Sequence, residues 1–160
     1  VFLAMLGAVG WATIKDIEVP WGMFGYYTAL LAVMAMCFLG IGMLISAVAR
    51  STDIAQGAAF MVWLTLLLFL DLILLGVMIQ GKVAPEVAVG VALVNPLQVF
   101  RTAALALFDP QLIVLGPSAY VILDTFGLVG YKVFALVYPA ALGLLSATIG
   151  YFIFRRGDLP

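Results

Sequence analysis

The chain has 160 residues, of which 66% are hydrophobic and only 9% are charged, and its net charge is −1. Soluble domains carry about 25% charged residues, so this chain has too few polar side chains to cover a water-soluble globule. Its mean hydropathy of +1.27 leads to the same conclusion. The composition predicts an all-α, polytopic transmembrane helix bundle in contact with the lipid bilayer.

The composition also excludes several kinds of chemistry. The chain has no histidine and a single cysteine, Cys37, so it cannot supply a Ser-His-Asp triad, an H-E-x-x-H zinc site or an internal disulfide. Basic residues occur singly except at Arg155-Arg156, which leaves no basic patch for nucleic acid. No P-loop motif is present, so ATP hydrolysis by that route requires another subunit. We expect no enzymatic activity, no bound cofactor and no metal.

Residues 1–14 form an apolar run that is shorter than the roughly 20 residues needed to cross a bilayer. No positively charged segment precedes this run, as one would in a signal peptide. We therefore expect a truncated span at the start of a chain that is the C-terminal part of a longer protein. The charged turn that follows contains Lys15 and ends near Trp21, a residue suited to the headgroup zone.

Three later runs are long enough to cross the membrane, at residues 24–49, 54–80 and 133–154. The link between the first two spans, Arg50 to Asp53, is so short that it predicts a tight hairpin, and Ser51 or Thr52 suits the N-cap of the second helix. Residues 155–160 then form a tail. Its Arg155-Arg156 pair favours a cytoplasmic C-terminus, although the other basic residues leave four on the opposite side and three on this one, so charge alone leaves the orientation open.

The stretch at residues 81–131 is apolar but interrupted by prolines, including Pro96 after Asn95 and Pro110 after Asp109. Its uncharged pieces, residues 87–100 and 110–123, are too short for complete crossings. We expect short extracytoplasmic, re-entrant or interfacial helices here, before the final span.

Two ionisable residues are candidates for a translocation path. Asp71 is the only one inside a confident span, where a carboxylate costs about 2.5–3.5 kcal/mol at the bilayer centre on insertion scales. It must therefore be protonated, paired or facing a cavity, or else lie close enough to the helix end to reach headgroups or cap a neighbouring helix. Arg101, in the broken stretch, is its most plausible partner.

Small residues spaced four apart predict close helix packing, at Gly42 with Ser46 and at Gly143 with Ala147. Met34, Met36 and Cys37 offer soft ligands for Cu(I). Positions 34 and 36 nevertheless point about 200° apart on a helix, and methionine is an ordinary filler of apolar interfaces. Packing is the favoured interpretation of these three residues.

Several of these segments carry a family resemblance. The run GIGMLISAVARS at residues 40–51, followed by a long apolar span, resembles paired helices of ABC-2 type transporter permeases. More narrowly, Trp63 with Asp71, NPLQVFR at residues 95–101 and YFIFRRGDL at residues 151–159 resemble the NosY-like permeases of nitrous-oxide-reductase maturation.

The resemblance implies a permease in the bacterial inner membrane that works as a homodimer with a cytoplasmic ABC ATPase, which uses ATP, and with a periplasmic partner. The cargo implied is a copper- or sulfur-related species for the reductase's copper centres. It also implies that residues 81–131 lie outside the cytoplasm, so that Asn95 and Pro96 belong to an outer gate or a periplasmic docking surface.

Other interpretations of the sequence stay open. An ABC-2 exporter of lipid, polysaccharide or a drug has the same fold and another cargo. A membrane anchor or assembly subunit that transports nothing has the same composition. An intramembrane aspartate protease is disfavoured, because it needs a second aspartate within a span and the confident spans contain only Asp71.

Overall fold

The computed structural model describes residues 2–16, 18–69, 85–112 and 117–156. Every regular element in these ranges is helical, which confirms the predicted all-α bundle. The elements in chain order are α1 (Phe2–Ile14), α2 (Trp21–Val48), α3 (Thr52–Leu64), a π-helix (Thr65–Phe69), α4 (Pro85–Val94), α5 (Pro96–Phe108) and α6 (Pro117–Arg156).

Among the described residues, two helices are long and apolar enough to cross a membrane, namely α2 and the part of α6 at Val121–Arg156. The 28 residues of α2 rise about 42 Å at 1.5 Å each, more than the roughly 30 Å of a hydrocarbon core. The helix α1 is short, with 13 residues. Of the predicted span at residues 54–80, α3 and the π-helix account for the first part, and residues 70–80 lie outside the described ranges.

The turn between α2 and α3 is as short as the sequence requires. Ala49 leaves the helical conformation, and Ser51 is the N-cap of α3, where its hydroxyl accepts a hydrogen bond from the Ile54 backbone N–H at 3.3 Å. The side chain thereby satisfies one of the N–H groups that a helix start leaves without an intrahelical partner.

The helix α6 begins earlier than the predicted last span at residues 133–154. Asp124 and Lys132, which precede residues 133–154, both lie within the bounds of α6. Gly127 interrupts the regular conformation with a φ of 64° and a ψ of 164°, a backbone region in which glycine is favoured because it has no Cβ. The helix therefore has a short first part and a long second part that contains a buried proline, Pro139.

The helices α2 and α6 run parallel to each other. Tyr26 contacts Lys132, Cys37 contacts Gly143 and Leu44 contacts Gly150, so the residue numbers rise together along both helices. The end of α2 that leads to Arg50 and the end of α6 that carries Arg155 and Arg156 consequently lie on the same side of the bundle.

A hydrophobic core joins the N-terminal halves of α2 and α6 to the short helices α4 and α5. Its members are buried residues from all four helices and from the segment after α5: Leu30, Val89, Val99, Ala103, Ala106, Leu112, Ile122, Tyr131 and Ala135. The short helices are thus packed against one end of the α2–α6 pair.

Candidate functional site

Several hydrogen bonds meet at the junction between α4 and α5. Asn95 lies between the two helices with an extended backbone and is 1% exposed. Its side-chain oxygen accepts a hydrogen bond from the Leu97 backbone N–H at 3.0 Å, and Pro96 occupies the first helical position. Asparagine followed by proline is a favoured helix start, because asparagine caps the helix and proline has no N–H to leave unsatisfied.

The amide group of Asn95 makes a second bond that no local pattern predicts. Its Nδ2 donates to the backbone carbonyl of Leu66, within the π-helix, at 2.7 Å. A buried amide needs partners from the protein because water does not reach it. One side chain therefore both starts α5 and ties it to the π-helix. Single π-helical turns are rare and frequently occur at functional sites.

A third contact reaches the junction from α6. The hydroxyl of Tyr138 donates to the backbone carbonyl of Val94, the last residue of α4, at 2.6 Å. The last carbonyls of a helix have no intrahelical partner, so this hydroxyl supplies a donor where α4 ends. We call the linked groups of Leu66, Val94, Asn95 and Tyr138 the Val94–Asn95 junction.

Arg101 lies on α5 about 9 Å along the helix from Asn95 and about 120° around it. It is partly buried, and its Nη1 donates to Gln98 Oε1 at 3.5 Å. It also lines an open groove of about 580 Å³ with mainly apolar neighbours: Tyr27, Phe100, Ala104, Leu105 and Phe108. Asp71, its expected partner, lies outside the described residues.

The predicted packing residues divide between two faces. Gly143 is buried against α2, and a Cβ built on it meets the Cα of Cys37 at 2.7 Å. Its partner across the contact is Gly40, whereas Gly42 has open space around it, and Gly42 and Ser46 are exposed. Ala147 is partly buried. The close approach in this chain therefore uses Gly40 where the spacing pattern selected Gly42.

The soft ligands are also separated. Met34 and Cys37 are buried at 7% and 0% exposure, and Met36 is 39% exposed on another face of α2. No group of three or more His, Cys, Asp or Glu residues that could hold a metal ion occurs within the described ranges.

A model of a known protein family, described as ABC-2 family transporter protein, matches residues 2–159. The chain belongs to this family. It is therefore an integral membrane permease subunit of an ABC transporter, as the sequence resemblance implied, and the family implies a separate ABC ATPase as its partner. No curated protein and no solved structure is significantly similar to this permease.

Three features of this ABC-2 permease escaped sequence reasoning. Tyr138 bonds to Val94, which is 44 residues away in the sequence, and Leu66 bonds to Asn95, which is 29 residues away. Gly40 was passed over in favour of Gly42, although both lie in the same GIG triplet. Gly40 lies on the buried face of α2 with Met34 and Cys37, and because α2 is apolar on every side, its sequence does not distinguish that face.

Proposed function

We propose that this permease moves its cargo along a path whose outer end is controlled by the Val94–Asn95 junction. The observation that carries the proposal is the buried Asn95 amide, which joins α5 to a carbonyl of the π-helix at 2.7 Å. Asn95 and Pro96 are both buried within the chain, so the proposal favours a gate over a docking surface for these two residues.

The energetics of this bond suit a gate. A neutral hydrogen bond contributes about 0.5–1.5 kcal/mol net, but leaving both buried partners unsatisfied costs about 1–3 kcal/mol each. The closed state is therefore stable as long as the site is dry. Entry of water on opening supplies new partners to Asn95 and Leu66, so the same two groups are satisfied in the open state.

We place the junction on the extracytoplasmic side and the C-terminus in the cytoplasm. In support, Arg50 and Arg155-Arg156 lie at one end of the parallel pair α2 and α6, opposite the short helices. The NosY-like resemblance agrees with this orientation. The ATPase then acts from the end that carries these arginines.

For the cargo, we propose a copper- or sulfur-related species used in maturation of the copper centres of nitrous oxide reductase. Support comes from the resemblance of residues 95–101 and 151–159 to NosY-like permeases. The same resemblance supports a homodimer and a periplasmic partner. Gly42 and Ser46, which are exposed in the single chain, are available for contact with the second permease copy.

We further propose Asp71 and Arg101 as charged residues of the path. Arg101 supports this by lining an open groove among apolar side chains. Asp71 is supported by the cost of an unpaired carboxylate within a span. Asp71→Leu in the complete permease tests its role, with Asp71→Asn as the isosteric control. Normal maturation of the copper centres in the leucine variant removes Asp71 from the path.

The main test measures maturation of the reductase in a strain from which only the permease gene has been deleted. Complementation with the native permease restores copper content and absorption spectrum to the reductase, whereas an Asn95→Ala/Pro96→Ala variant restores at most about a tenth. Full restoration by that variant rejects the gate.

Normal reductase in the deletion strain rejects the proposed cargo, and accumulation of a lipid, polysaccharide or drug then identifies another ABC-2 exporter. Absence of any ATPase-dependent flux identifies an anchor subunit.

A further inference from the structure

Two hydrogen bonds meet at consecutive residues of the Val94–Asn95 junction. Tyr138 donates to the Val94 carbonyl from α6, and Asn95 donates to the Leu66 carbonyl in the π-helix. The Val94 carbonyl and the Asn95 N–H belong to one planar peptide unit. A rotation of that carbonyl therefore turns the Asn95 N–H with it and, unless ψ of Val94 and φ of Asn95 compensate, changes the direction of the Asn95 side chain.

The ring of Tyr138 is held in place from its own helix. It stacks on Phe134 with ring centroids 5.3 Å apart and planes 8° from parallel. The Val94 side chain is 69% exposed, so the backbone carbonyl, and not side-chain packing, is the group through which Val94 is tied to α6. The hydroxyl of Tyr138 is thus a well-oriented point of attachment between α6 and the junction.

The next residue after Tyr138 is Pro139, which is buried in the interior of α6. Proline removes one intrahelical hydrogen bond and is a common site of helix bending. Beyond it, Gly143 and Gly150 lie against the α2 backbone. The part of α6 after Pro139 is therefore tightly packed on α2, and Tyr138 lies on the other side of this proline, beside the short helices.

We propose that Tyr138 is a positioning residue for the outer gate, whose hydroxyl holds the Val94–Asn95 peptide so that the Asn95 amide reaches Leu66, and that bending of α6 at Pro139 acts on the π-helix through this link. The inference rests on the proposed gate function of Asn95. It adds a mechanical connection from the α2–α6 pair, on whose far end the ATPase acts, to the gate.

Tyr138→Phe tests the link because it keeps the ring that stacks on Phe134 and removes only the hydroxyl. Tyr26→Phe is a matched control: the Tyr26 hydroxyl also donates to a distant backbone carbonyl, that of Lys132, at 2.9 Å. Both variants lose one hydrogen bond of the same type between helices. Only Tyr138→Phe is expected to affect the junction.

The measurement is hydrogen–deuterium exchange of the permease–ATPase complex, without nucleotide and with vanadate-trapped nucleotide. In Tyr138→Phe we expect the peptide covering residues 94–101 to exchange about fivefold faster without nucleotide, as loss of a bond of about 1 kcal/mol allows. We also expect its nucleotide-dependent change to disappear. In Tyr26→Phe both quantities stay at their native values, while thermal stability falls in both variants.

Equal behaviour of the two variants at residues 94–101 overturns the inference, whether both change or neither does. Asn95→Ala, assayed in parallel for reductase maturation, separates this failure from failure of the gate. If Asn95→Ala abolishes maturation while Tyr138→Phe leaves exchange and its nucleotide response native, the gate stands and Tyr138 has no part in it. If Asn95→Ala matures the reductase normally, the gate itself is rejected.

Discussion

Gly40 of α2 and Gly143 of α6 bring the two helix backbones into direct contact, and neither position has room for a methyl group. A Cβ at Gly40 meets the backbone of Gly143, and a Cβ at Gly143 lies 2.7 Å from the Cα of Cys37. In lipid, helices gain little from burying apolar surface against each other, so close backbone packing through small residues is a main source of their association.

Gly40→Ala should destabilise the permease, because the atoms that the new methyl meets belong to the backbone and cannot turn aside. Overpacking of this kind costs about 1–3 kcal/mol, and we expect the thermal unfolding midpoint in detergent to fall by roughly 5 °C. Gly42→Ala is the control, since a Cβ there meets nothing within 4 Å. An equal loss in both variants contradicts the assigned contact.

Cys37 should react slowly with maleimide in the folded permease, because its side chain is 0% exposed. Gly143→Ala is expected to separate the helices at this point and to raise the labelling rate at least about threefold. Mass spectrometry of the peptide that contains Cys37 measures the rate, with Gly42→Ala again as the control. Fast labelling of the native protein is the result that this packing does not allow.

Two replacements of Asn95 should distinguish the contributions of its two side-chain hydrogen bonds. Asn95→Ser keeps an oxygen that can cap α5 but has no amide for Leu66, whereas Asn95→Ala loses both bonds. Loss of a cap costs about 0.5–2 kcal/mol, so stability is expected to fall in the order Asn, Ser, Ala.

Hydrogen exchange at Leu97, whose N–H bonds to Asn95 Oδ1, distinguishes the two losses. The Leu97 amide should stay protected in Asn95→Ser and become exposed in Asn95→Ala. Ser51→Ala, which removes the exposed cap of α3, controls for the general effect of losing a cap. If it alters reductase maturation as much as Asn95→Ala does, the special role of Asn95 is lost.

Pro139→Ala should change coupling more than stability. Alanine restores the backbone N–H that proline lacks, so it favours a straight α6, and we expect the unfolding midpoint to stay within about 2 °C of the native value. A straighter helix moves Tyr138 relative to Val94. Cargo-dependent ATPase activity should therefore fall severalfold, and native activity in this variant argues that α6 does not bend at Pro139.

The junction between the two short helices was predictable from the sequence. Asn95 followed by Pro96 marked a break, and the structure starts α5 there, because capping and the fixed φ of proline are local properties. The predicted last span at residues 133–154 lies within the long second part of α6, which follows the non-helical Gly127. Its start was set by the charge of Lys132, and the helix continues through that residue, since a charge at the edge of a bilayer does not interrupt backbone hydrogen bonding.

The sequence by itself determined that the chain is apolar, helical and of the ABC-2 permease type. Composition, span length and short motifs can be read along the chain without knowing which distant segments are in contact. Only the tertiary structure decided that Gly40 and not Gly42 meets Gly143, and that Asn95 reaches Leu66. Both depend on which helix faces meet and at what offset. Two glycines that are two residues apart point to different sides of one helix, and spacing within a single segment cannot say which side has a neighbour.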